Sequence, residues 1–250
     1  MKRTRRIGTI LVLLAACAAA SNARAQALLE GKDGPSDPVA VMLALYTNHP
    51  NFTATAKVLL EYKGATNQIP LPIRYAVADG VVASTLDITK LIPECADMFK
   101  ELGLAETKCV FSTRSNQAVV IYPGKRAFYS VAVPPDRFAP KSVTRKKLSS
   151  ETKEGHDCEH WLLTVKEANG TTTTVDAWEA GDLNGFPVQL AYTRKYSSTF
   201  ALVTTDENTR VKVTFDNIRF TKPSHDEFHP APGYKSYESR EALMASPPGK

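Results

Sequence analysis

Two histidines, a cysteine and two acids fall within "GHDCEHW", residues 155 to 161. These residue types bind zinc or activate a thiol nucleophile. In an extended strand side chains alternate faces. His156, Cys158 and His160 would then share one face, and Asp157, Glu159 and Trp161 the other. Same-face neighbours lie ~6.5–7 Å apart along a strand. Two of them can chelate one metal, but three in a row are spread too far for a tetrahedral site without a bend. A zinc site also needs a further ligand or a water. His225 and His229, in "HDEFH", are the helpers at hand, and they sit in a Pro-rich segment with the character of a loop. A Cys158 nucleophile would need a histidine base and an oxyanion hole, and no G-x-S-x-G or family-type cysteine signature accompanies it. The favoured reading is an ordinary strand entered from a turn at Gly155, with Cys158 half-buried. A metal-dependent or thiol enzyme centred on His156, Cys158 and His160 is the alternative. No catalytic residue and no cofactor is assigned elsewhere, because the acids are scattered over turns and no Gly-rich phosphate loop occurs.

The chain around this strand begins with an export signal. Lys2, Arg3, Arg5 and Arg6 precede an apolar run from Ile7 to Ala16, and "ARA" at 23 to 25 precedes Gln26. That pattern predicts a signal peptide over residues 1 to 25, too short in its apolar part for a span of ~20 residues. "LAAC", ending at Cys17, gives a second reading, a lipobox in which Cys17 is lipidated. The expected location is the periplasm, with an outer-membrane lipoprotein as the alternative. Membrane contact is expected only through a lipid on Cys17. The full chain has 31 basic and 26 acidic residues, and five of the basic ones lie in the leader. Removing those five leaves 26 against 26, so no basic surface for nucleic acid is supported. The remaining cysteines are Cys95, Cys109 and Cys158. In an oxidising compartment Cys95 and Cys109, close in sequence across a helix-to-strand turn, are the expected disulfide.

The elements that position these residues are mostly strands. After a linker at 26 to 36, Asp37 and Pro38 open a helix whose residues 39 to 46 are apolar on every side, which requires enclosure by something larger. Phe52, Ala54, Ala56, Val58, Leu60 and Tyr62 alternate with mostly polar residues, as in a half-buried antiparallel strand. Ile69 to Val77 repeats the alternation, and Asp79-Gly80 marks a tight hairpin. A helical region covers residues 87 to 104, reset at Pro93 and stopped at Gly103. A hairpin follows around Pro123-Gly124, 142–153 reads as a polar, edge-like strand, a further hairpin joins 158–166 to 171–179, and strands continue to residue 220. Arg145-Lys146-Lys147 reads as a solvated strand face. Trp161 and Trp178 read as core or as the wall of a cavity. A short helix is expected near Glu238 to Met244. A meander of about ten strands must curl or close. The expected architecture is α+β but mainly β: a curved, open antiparallel half-barrel over residues 37 to 250, with helices on the concave side.

"VVIYPGKRAFYSV", "GHDCEHWLLTV", "VDAWEAGDLNGFPVQL" and "FDNIRFTKPSHDEFHPAPGYKSYES" occur in this order. Together they resemble a family of secreted bacterial domains of unknown function. That family is similar in turn to the LolA/LolB-type lipoprotein-carrier fold, an unclosed barrel with helices at its mouth. The resemblance runs over roughly residues 40 to 245. It implies a non-enzymatic envelope protein binding a lipid or lipoprotein, and it carries over no site residue. A structural or interaction module is a further reading.

Overall fold

Phe52, Ala54, Ala56 and Val58 are buried while Thr53, Thr55, Lys57 and Leu59 between them are not, so the alternation read in the sequence is a one-sided strand. The structure is a computed structural model, described here for residues 49–61, 71–90, 93–112, 117–132, 142–166, 172–195 and 208–247. The leader, the linker, Cys17 and the expected 39–46 helix lie outside the described residues.

The strands are β1 (Asn51–Glu61), β2 (Leu71–Ala78), β3 (Val81–Asp87), β4 (Glu106–Ser112), β5 (Gln117–Tyr122), β6 (Ala127–Ala132), β7 (Ser142–Lys153), β8 (His156–Lys166), β9 (Thr172–Ala180), β10 (Phe186–Lys195), β11 (Asn208–Arg219) and β12 (Lys235–Tyr237). They form one 12-stranded sheet in the order β12-β6-β5-β4-β3-β2-β1-β11-β10-β9-β8-β7. Two antiparallel meanders, β1 to β6 and β7 to β11, are joined by the long-range pairing of β1 with β11. The sheet ends at β12 and β7 and is not closed. Twelve strands stand where about ten were expected. β12, three residues pairing parallel with β6, is too short to carry an alternation signal.

Turn chemistry sets the hairpins. Asp79 and Gly80 have φ of 51° and 83°, the two positive values a tight I′-type hairpin needs. Glu154 and Gly155 repeat this at 49° and 83°, which makes the expected turn before "HDCEHW" a matched hairpin between β7 and β8.

Helices are few among the described residues. The region 87 to 104 is divided, not continuous. The Asp87 carboxylate accepts from the Thr89 N–H at 3.0 Å and its hydroxyl at 2.6 Å, opening a 3-10 turn at Ile88–Lys90. Pro93 opens a second such turn, and only α1 (Ala96–Glu101) is α-helical. Gly103, at φ 69°, then ends it. α2 (Arg240–Ala245) begins at Ser239, whose hydroxyl accepts from the Ala242 N–H at 3.2 Å.

Inward side chains from both meanders make one buried cluster. Phe52 and Val58 from β1, Val82 from β3, Val120 from β5, Leu163 from β8, Leu190 from β10 and Val213 from β11 all belong to it. One face of the sheet therefore curves around a shared apolar interior. Leu243 of α2 is buried in the same cluster, so a helix does sit on the concave side.

Candidate functional site

β8 holds the residues with the chemistry. His156, Cys158 and His160 share the outer face, because the partners on the inner face, Leu163 and Val165, belong to the interior cluster. They do not converge. His156 Nδ1 meets Asp182 Oδ2 at 2.8 Å. The Cys158 thiol donates to the His156 carbonyl at 3.5 Å. The His160 ring stacks on Trp178 with centroids 4.4 Å apart, and its Nε2 meets Asp176 Oδ1 at 2.9 Å. Its Nδ1 lies 3.5 Å from Glu151 Oε1, and the same oxygen accepts from Trp178 Nε1 at 2.7 Å. That last hydrogen bond, more than any other cause, holds the Glu151 carboxyl below its usual range. Each histidine thus has its own carboxylate.

Burial raises the Cys158 thiol, with nearby Asp182, Asp157 and Glu151 adding to the effect. A nucleophilic cysteine needs the opposite shift. No group of three or more metal-ligating side chains occurs among the described residues. His225 and His229 stack on each other at 3.9 Å. Their neighbour Phe228 packs on the outer face of the other meander, against Ala76, Ala83, Val110 and Ile121. The helpers are on the wrong wing of the sheet. "GHDCEHW" is a strand on whose outer face each histidine meets a carboxylate of its own.

Cys95, on the turn ahead of α1, and Cys109, inside β4, are both free thiols in the structure. Arg145, Lys146 and Lys147 are solvent-exposed on the edge strand β7, as expected, and Arg145 and Lys147 also reach carboxylates across the sheet. Arg145 meets both oxygens of the buried Glu179, at 2.6 and 2.5 Å, and lies over Trp161 at 4.8 Å. Lys147 meets Glu159 at 2.5 Å. The two tryptophans divide between faces. Trp161 packs against the inner cluster, and Trp178 is buried in a smaller outer one with Cys158, Ala180, Val188 and Ala191.

The inner lining also carries phenols. Burial pushes the Tyr122 hydroxyl up to about 12 and raises that of Tyr129 as well. Both stay neutral, which suits an apolar interior. At one end Phe186 meets Phe52, Phe215 and Phe220 edge-to-face, with centroids 5.0, 5.8 and 5.6 Å apart, and His49 stacks on Phe220 at 5.0 Å. This aromatic floor takes one ring from β1, one from β10, one from β11 and one, Phe220, from just beyond it. At the other end Lys125 is buried, its ammonium donating to the Ser246 carbonyl at 2.6 Å beneath α2. Sequence reasoning read residues 123 and 124 only as a turn and passed over this lysine.

No family model and no curated protein matches the chain. Among solved structures it is similar to a LolA superfamily protein from Nitrosomonas europaea, at 6% identity over 72% of this chain and 90% of that one, with a TM-score of 0.36. It is similar too to a DUF1329 family protein from Desulfovibrio piger, at 10% identity, 76% and 94% coverage and a TM-score of 0.37. The lipoprotein LppX of Mycobacterium tuberculosis matches at 7% identity, 72% and 93% coverage and a TM-score of 0.35. The open, mainly antiparallel sheet stands on its own strand pairing, and these neighbours transfer no ligand or residue role to this chain.

Proposed function

We propose that the chain is a non-enzymatic exported envelope protein that binds an apolar ligand, an acyl chain, lipid or lipoprotein, on the inner face of its open sheet. The observation that carries this reading is the continuity of the lining. Apolar side chains from β1 to β6 and from β8 to β11 meet in one cluster, yet the sheet remains open between β12 and β7. A closed small barrel fills its interior with its own side chains for good. An unclosed one can part along its free edges. The lining is buried in the structure, so a ligand would enter by replacing apolar contacts with apolar contacts, an exchange of low net cost. Export through residues 1 to 25, with either release into the periplasm or retention through a lipid on Cys17, belongs to the same reading. So does a single domain over residues 37 to 250.

The test is titration of the full chain with a fluorescent fatty acid, displaced by palmitate, together with amide hydrogen exchange. Saturable, displaceable binding that slows exchange along β1 and β11 is expected. Absence of displaceable binding overturns the reading.

A further inference from the structure

One cleft among the described residues is not apolar and not on the inner face. It has a volume of about 300 Å³ and lies on the outer side of β1, β2, β3 and β11. Its floor is made by Ala76 and Ala83, whose small side chains leave the space open. Thr53, Thr55 and Thr85 bring hydroxyls to its walls, and Arg74 and Arg219 bring guanidinium groups. The 3-10 turn at His225–Glu227 closes one side with the Glu227 carboxylate.

Arg219 reaches this cleft through a break in the strand. Opposite β1, the register steps from Thr55↔Asp216 to Thr53↔Arg219, so β11 carries one residue more than its partner. Asn217 sits at the break with φ 55°. Without the extra residue, alternation would send Arg219 to the inner, apolar face. With it, Arg219 lands beside Thr53 on the outer face. A bulge that re-aims a side chain is a recurrent device beside binding sites, and asparagine tolerates the left-handed conformation better than most residues.

Charge in the cleft is unbalanced. Glu227 is shared between Arg74, at 3.3 Å, and Lys108, at 3.4 Å. Asp216, the other nearby acid, is held by Lys57 at 3.0 Å. No ion pair occupies Arg219 among the described residues. Two guanidinium groups of the lining, with Lys108 beside it, therefore face one carboxylate. The carboxylate spans Arg74 and Lys108 at long distances, as a stand-in for a better-matched anion would.

We infer that this outer cleft binds a phosphate monoester. A tetrahedral dianion presents three terminal oxygens, enough to engage two guanidinium forks and the threonine hydroxyls together. Glu227 would then fall back to Lys108 alone. The site is separate from the inner lining and does not depend on what that lining binds.

Isothermal titration of the full chain with inorganic phosphate and with glycerol 3-phosphate tests the inference. One-to-one uptake is expected, weakened at least about tenfold by Arg219→Gln and by Arg74→Gln. Arg219→Lys, which keeps the charge and loses the fork, should fall between. Glu227→Gln should tighten binding by removing the internal competitor. Asn217→Gly, which keeps the bulge, should bind like the parent, and unchanged melting curves would certify that each variant is folded. Flotation with phosphatidylcholine vesicles, with and without phosphatidic acid, separates two sources of the same group. Co-flotation that needs phosphatidic acid and Arg219 assigns a lipid headgroup. Uptake in solution without co-flotation assigns a soluble phosphate ester. No uptake of either phosphate compound, or uptake indifferent to Arg219→Gln in a folded variant, overturns the site.

Discussion

The two meanders solve the same problem with different means. From β2 to β6 the strands are six to eight residues long, and that wing is partly covered on its outer face as well as its inner one. Phe228 and Tyr234 from the segment after β11 pack on its outer face beside the cleft, and the short β12 lines its free edge. From β7 to β11 the strands run nine to twelve residues, and β7 is exposed along almost its whole length. That wing leans on ladder length, on ion pairs and on stacked rings. Its free edge carries Lys146 and Lys147 and a register break between Lys147 and Ser149, features that discourage another strand from pairing there. A covered wing can be short; an uncovered one needs long strands and polar ties across them.

Phe186 should show what the wings share. It contacts rings from β1 and β11, at the seam between the meanders. Phe186→Ala should cost about 3–5 kcal/mol, read from the denaturant midpoint, and hydrogen exchange should accelerate in both wings. Acceleration in one wing alone would show two independent units and break the comparison.

Gly103 belongs to the first wing only. A Cβ there would come within 2.8 Å of the Gly124 backbone, at a φ of 69°. Gly103→Ala should cost about 1–3 kcal/mol and loosen α1 against the turn between β5 and β6, with β8 to β10 unaffected.

Trp178→Phe probes the second wing. It removes the 2.7 Å hydrogen bond to Glu151 and keeps the stack on His160, for an expected loss of about 1 kcal/mol confined to β7 to β9.

The smallest effect is a pH dependence. Glu151 is held below its ordinary value of 4.5 in the folded chain, chiefly by the Trp178 hydrogen bond. Its contribution is therefore present above that pH and fades as acid protonates it. Acid titration of stability should show a shallower loss below pH 4.5 in Glu151→Gln than in the parent. Equal slopes would remove Glu151 from the account of this wing.

Much of the fold was legible because burial writes itself at period two. Phe52 to Val58 announced β1, Asp79-Gly80 announced its hairpin, and the polar run 142 to 153 announced an edge strand with its bounds intact. The pairing of β1 with β11 was not legible, since nothing local encodes a partner some 150 residues away. The outer cleft did leave a trace. Val211, Val213 and Phe215 step by two and the next inward residue is Ile218, a step of three that marks the bulge at Asn217. "GHDCEHW" misled in the opposite sense. Its face-sharing was read correctly, but only the opposing strands and the turn after β9 could supply Asp176, Glu151, Trp178 and Asp182 as separate partners for the two histidines.

The central claim is that the shared apolar lining takes up an apolar ligand. Native mass spectrometry of the mature protein, purified gently from its own cell envelope, tests it most directly. The account predicts a bound mass that fits a lipid and leaves on mild denaturation. A bare polypeptide mass, from protein that also fails to take up added fatty acid, would contradict it.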